Sequence, residues 1–172
     1  DGEEIVATVA ERIRQGESCE GIPGVWVKRE DGTIHKTARG PVVDITGVIP
    51  DFSLFEESRF YRPMGGKIHR TIPLETYRGC PYQCTFCNSP MQTTLSRETD
   101  VGNFLRRKPI RRLRDEIARL AATYQPDLFY VVDDSFLARP EKEIEALAAM
   151  YAEFRIPFWM NTRPETITPK TL

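Results

Sequence analysis

Five apolar residues in a row, Leu128-Phe129-Tyr130-Val131-Val132, constrain the fold more than any other stretch of this chain. A run that short, bounded by breakers, reads as a strand buried on both faces, which is the habit of parallel sheets. Helical patterns flank it. Upstream, Pro109 opens a helix at a position that tolerates proline, and Ile110, Leu113, Ile117, Leu120 and Tyr124 repeat at spacings of 3, 4, 3 and 4 until Pro126 ends it. Downstream, a second helix runs from Pro140 with Ile144, Leu147, Tyr151 and Phe154 on one face. A strand-like stretch, Thr71 to Tyr77, precedes the set, and Pro157-Phe158-Trp159-Met160 closes it as a third strand. The order from residue 71 is therefore β-α-β-α-β, an α/β pattern whose helices serve as right-handed crossovers.

The first part of the chain has a different texture. Ile5, Val6, Val9 and Ile13 make the apolar stripe of a helix over residues 3–15, with Glu3 and Glu4 at its positive end. Gly24 to Glu30 and Thr33 to Thr37 read as two strands joined by Asp31-Gly32, a strong hairpin signal. Gly40 to Asp51 reads as an extended connector, and Phe52 to Arg62 as irregular or a short helix. Asn88 to Asn103, rich in Thr, Ser and Asn, reads as a loop. His35 reads as an exposed strand residue and His69 as no ligand.

Composition narrows the class of function. A net charge of −1 argues against a dedicated nucleic-acid or membrane surface, and no apolar run approaches the roughly 20 residues of a membrane span. The expectation is a soluble, cytoplasmic protein. The basic cluster of Arg106, Arg107, Lys108, Arg111, Arg112 and Arg114 reads as a solvated helix face. Four cysteines in 172 residues are too sparse for a disulfide framework.

Three of those cysteines fall together. Cys80, Cys84 and Cys87 stand as C-x3-C-x2-C directly after the first strand. Soft thiolates that close can converge on zinc or on an iron–sulfur cluster. A 4Fe–4S cube held by three cysteines leaves one iron open, as a catalytic zinc site keeps a free position. The alternative is a structural zinc module without catalysis, with Cys19 as the fourth ligand, although zinc ribbons usually pair two C-x2-C knuckles.

At Arg78-Gly79-Cys80-Pro81-Tyr82-Gln83-Cys84-Thr85-Phe86-Cys87 the sequence resembles the radical S-adenosylmethionine (radical SAM) enzymes, with Phe86 in the aromatic position of their cysteine motif. The flanking Arg-Gly and Pro-Tyr look like the subgroup in which a cobalamin-binding domain precedes the radical SAM domain. The resemblance implies a partial (β/α) barrel, of which residues 63–172 are the N-terminal half with its first three strands. Residues 1–62 are similar to the helix, hairpin and linker that connect a cobalamin domain to the barrel. Since a complete eight-unit barrel takes about 250 residues, the chain is expected to be part of a longer protein.

The implied cofactors are a 4Fe–4S cluster, SAM and, in that subgroup, cobalamin, whose anchoring histidine motif is not in this sequence. The implied activity is reductive cleavage of SAM to a 5′-deoxyadenosyl radical, leading to cobalamin-dependent methyl transfer or to rearrangement of a small-molecule substrate. An electron donor such as flavodoxin or ferredoxin is the implied partner. Cys80, Cys84 and Cys87 are the implied metal ligands. Phe86 would pack near the cluster and the adenine of SAM. Asp133 and Asp134 occupy the place of a Gly-Gly-Glu-like motif that contacts the SAM amino group, and which of the two does so is left open. Arg163 would fork onto the SAM carboxylate with Asn161 in support. Arg78 and Tyr82 are expected beside the cluster.

Overall fold

The computed structural model describes residues 1–171. Two compact units divide them: Asp1–Asp44 with Pro90–Phe104, and Ile45–Ser89 with the chain from Leu105 onward.

In the first unit, α1 (Glu3–Gln15) carries acids in its first turn and arginines in its last, so its charges complement its dipole. Gly16 ends it in the left-handed region (φ 70°); its N–H bonds back to the Ile13 carbonyl and the Glu17 N–H to the Arg12 carbonyl. Strands β1 (Trp26–Lys28) and β2 (Ile34–Lys36) form the expected antiparallel hairpin, in which Val27 faces His35. His35 is half-buried rather than exposed, beside the Arg29 guanidinium. The connector does run without regular structure, and Val42 N–H bonds to the Val101 carbonyl at 2.8 Å.

The second unit holds a four-stranded sheet of β3 (Tyr61–Met64), β4 (Lys67–Leu74), β7 (Leu128–Val131) and β8 (Phe158–Met160), in that order. β4, β7 and β8 are parallel; β3 is an antiparallel edge. The β3–β4 hairpin was not expected from sequence, yet its turn is Gly65-Gly66 with φ of 58° and 78°, conformations that glycine takes without a Cβ penalty. Between these strands lie β5 (Tyr77–Arg78) and β6 (Arg106–Arg107), an antiparallel pair, and the crossover helices α3 (Ile110–Tyr124) and α4 (Glu141–Tyr151).

The helical stripes pack as their spacing predicts. Leu113, Ile117 and Leu120 of α3 and Leu147 and Met150 of α4 join Ile72, Leu74, Phe129 and Val131 in one buried cluster. The other sheet face departs from expectation. Tyr130 is half-buried and stacks on Trp159 at 4.8 Å, and Val132 is exposed, because both helices contribute to the cluster on the Phe129 side.

Two further expectations are corrected. The polar stretch after the cysteines is not a loop: Ser89–Glu98 forms α2. Proline is tolerated in a first turn, and Met91, Gln92, Leu95, Arg97 and Glu98 are sound helix formers once it is nucleated. The basic cluster is not simply a solvated helix face either. Arg106 and Arg107 belong to β6, Lys108 is buried against Glu116, and only the later arginines lie on exposed positions of α3. Among the described residues no helix is long and apolar enough to cross a membrane.

Candidate functional site

The carboxyl ends of β4, β7 and β8 are laced together by hydrogen bonds. Asp133, two residues beyond buried Val131, keeps the inward side of the pleat and is 1% exposed. One of its oxygens accepts the backbone N–H groups of Thr76 (2.8 Å) and Tyr77 (3.2 Å); the other accepts the Thr76 hydroxyl and Arg139 Nη2 (3.1 Å). Burial pushes its carboxyl above the ordinary range, against the pull of Thr76, Tyr77 and Arg139. The Tyr77 hydroxyl donates to the Ser135 carbonyl, and burial raises its pKa well above that of a free phenol. On the other side, Phe136 N–H bonds to the Asn161 carbonyl (2.8 Å) and Leu137 N–H to the Thr162 hydroxyl (3.3 Å).

Arg139 is the centre of this lacing, and nothing in the sequence pattern marks it. Its side chain is 2% exposed, its guanidinium lies 4.8 Å from the Tyr77 ring and 4.7 Å from the Phe136 ring, and Nε donates to the Phe136 carbonyl. A second buried pair lies below: Lys108 Nζ donates to both oxygens of Glu116 (2.9 and 2.7 Å), while Lys108 N–H bonds to the Thr76 carbonyl. Glu116 sits three residues after Leu113 and four before Leu120, so its place on the apolar face of α3 was readable; its partner was not.

The cysteines leave this frame through Gly79, whose φ of 95° turns the chain after β5. Cys80 and Cys84 are half-buried and Cys87 is exposed. Cys87 N–H bonds to the Cys84 carbonyl (3.1 Å), closing the C-x2-C turn. The Ser89 N–H, at the start of α2, donates to Cys87 Sγ at 3.5 Å and draws that thiol's pKa down. Arg163 Nη1 donates to Cys84 Sγ at 3.6 Å. Burial pushes the Cys80 thiol up. Among the described residues no three His, Cys, Asp or Glu side chains stand close enough together to hold one metal ion.

The other sequence candidates divide. Asp134 is exposed, and its charge acts on both Cys80 and Cys87. Asp133 faces inward with its oxygens engaged. Arg163 lies over the Tyr82 ring at 4.2 Å and pairs with Glu165, so it meets the cysteine loop directly. Asn161 has its carbonyl in the lacing and is exposed at the end of β8. Phe86 is 92% exposed, so its ring is open on the cysteine loop. Arg78 forks onto Glu75 at 2.8 and 2.9 Å. Cys19 turns its thiol toward the Val9 carbonyl.

No family model matches the chain. It is 27% identical over 171 residues to an anaerobic magnesium-protoporphyrin IX monomethyl ester cyclase of Rubrivivax gelatinosus, covering 95% of this chain but 28% of the cyclase. In fold it is similar to the radical S-adenosylmethionine methyltransferase TsrM of Kitasatospora setae, solved with cobalamin and a 4Fe–4S cluster (TM-score 0.56, 19% identity, 99% of this chain and 34% of that one). It is also similar to OxsB, a cobalamin-dependent S-adenosylmethionine radical enzyme solved with aqua-cobalamin and S-adenosylmethionine (TM-score 0.63, 19% identity, 98% and 23%). The chain thus spans about a quarter to a third of the length of these proteins.

Proposed function

We propose that this chain, which resembles the radical SAM enzymes in its cysteine motif and in its fold, is the cluster-binding part of such an enzyme. Cys80, Cys84 and Cys87 would hold a 4Fe–4S cluster. The observation that carries this is the cysteine loop itself: three thiols within eight residues, beyond the carboxyl end of a parallel strand, two of them receiving N–H bonds at sulfur from Ser89 and Arg163. Hydrogen bonds of that kind stabilise ligating thiolates and tune a cluster's potential. When bound, the cluster with SAM at its open iron supplies the electron that cleaves SAM to methionine and a 5′-deoxyadenosyl radical.

The protein's own part is to hold and orient. Asp133 and Arg139 fix the spacing of the strand exits, so the cysteine loop and the Asp134 turn leave a rigid base. Asp134 is the aspartate open to the SAM ammonium, which would also offset the charge that acts on the thiols. Asn161, exposed at the next strand end, lies on the same rim. Phe86 is free to close over a bound adenine, since its ring is exposed.

On this reading β4, β7 and β8 are the first three strands of a (β/α) barrel of which residues 63–172 are the N-terminal half, and residues 1–62 are the connection to a preceding domain. The two structural neighbours bind cobalamin, which supports methyl transfer or rearrangement with that cofactor; the cyclase relative supports ring-forming chemistry on a small molecule. Electrons would come from a flavodoxin or ferredoxin in the cytoplasm.

Anaerobic reconstitution of the full-length protein tests the reading. About four irons and four sulfides per chain are expected, with deoxyadenosine formed from SAM under reduction, and Cys84→Ala is expected to lose the full cluster. One tightly held zinc with no iron overturns it.

A further inference from the structure

Arg163 does more in the structure than its position at a strand end requires. Its Nη1 donates to Cys84 Sγ at 3.6 Å, its Nη2 pairs with Glu165, and its guanidinium plane lies 4.2 Å from the Tyr82 ring centre. Both terminal nitrogens therefore already have a partner within the chain. A guanidinium stays protonated throughout the working pH range, so the group that meets the sulfur is a fixed cation.

We propose that Arg163 is a positioning residue that sets the reduction potential of the cluster held by Cys80, Cys84 and Cys87, through a charge-assisted hydrogen bond to the Cys84 thiolate. This rests on the cluster reading above. Reduction adds one electron, and so one negative charge, to a thiolate-ligated cluster. A cation hydrogen-bonded to a ligating sulfur stabilises that extra charge, and potentials respond to net charge and to bonds at sulfur. Arg163 therefore raises the potential. Glu165, its carboxylate partner on the far side, cancels part of the positive charge and lowers it. Tyr82 holds the guanidinium plane by a cation–π contact.

Two substitutions then move the potential in opposite directions, which a merely structural role does not do. The test is a potentiometric titration of the anaerobically reconstituted full-length protein with dithionite, read by electron paramagnetic resonance of the reduced cluster. Arg163→Gln is expected to shift the midpoint to more negative values, Glu165→Gln to more positive values, and Arg163→Lys to fall between wild type and Arg163→Gln. Iron-loaded variants whose midpoints stay at the wild-type value, or move in the same direction, overturn the inference and leave the cluster reading standing. Wild-type protein that takes up no iron overturns both. If Arg163→Gln does not take up a full cluster, Glu165→Gln decides alone: Glu165 is 57% exposed at its side chain, and an unmoved or more negative midpoint in that variant overturns the inference.

Discussion

Asp133 and Asp134 are adjacent and chemically identical, yet the structure gives them opposite environments, one buried and one exposed. Asp133 takes four donors in a buried corner, and Arg139 opposite it is just as buried. Removing Asp133 leaves the buried Arg139 guanidinium with only the longer pairing to the partly exposed Glu143, at 3.4 Å. Asp133→Ala is expected to cost about 3–5 kcal/mol of folding stability, seen as a large drop in the urea midpoint. Asp134→Ala is expected to leave that midpoint unchanged and to weaken SAM binding to the reconstituted protein by about ten- to a hundredfold, measured by titration calorimetry. Should the two variants show the reverse pattern, the assignment of roles is wrong. The pleat rule carried past the end of β7 does put Asp133 on the side of Val131, so part of this division was readable from sequence. The four donors were not, since three of them come from residues more than fifty positions upstream.

Among the elements, periodicity identified α1, α3, α4, β7, β8 and the β1–β2 hairpin, because each encodes its own burial pattern locally. α2 was missed because Thr and Ser make its sequence read as a loop, and β5 and β6 because two-residue strands carry no period. The buried Lys108–Glu116 pair ties the segment after β6 to α3. Lys108→Met alone is expected to destabilise the protein by about 3–5 kcal/mol, whereas the double variant Lys108→Met/Glu116→Leu is expected to return to near wild-type stability or above it, since an apolar pair of similar volume carries no desolvation cost. A double-mutant cycle by urea unfolding measures this. Additive losses would mean that the pair is not coupled.

At the scale of the whole molecule, stability is concentrated in the second unit. Its cluster of Ile72, Leu74, Phe129, Val131, Leu113, Ile117 and Leu120 is nearly inaccessible, whereas α1 buries no residue and leaves Val6 and Ile13 each 66% exposed. Native-state hydrogen exchange is expected to be slowest at the amides of β4, β7 and α3 and orders of magnitude faster along α1. Comparable protection in α1 would show that its apolar stripe is covered in solution.

The cysteine motif, the order of β7 and β8 with the helices that precede each, and the carboxyl ends of those two strands were determined by the sequence alone, since each is written in spacings of fewer than twenty residues. Tertiary structure decided which carboxylate turns inward, that Arg139 anchors the strand exits, and that Arg163 reaches a sulfur 79 positions upstream. Those are pairings of polar groups across distant segments. No local period encodes them, because a hydrogen bond depends on where two chain segments meet rather than on what surrounds either one in sequence.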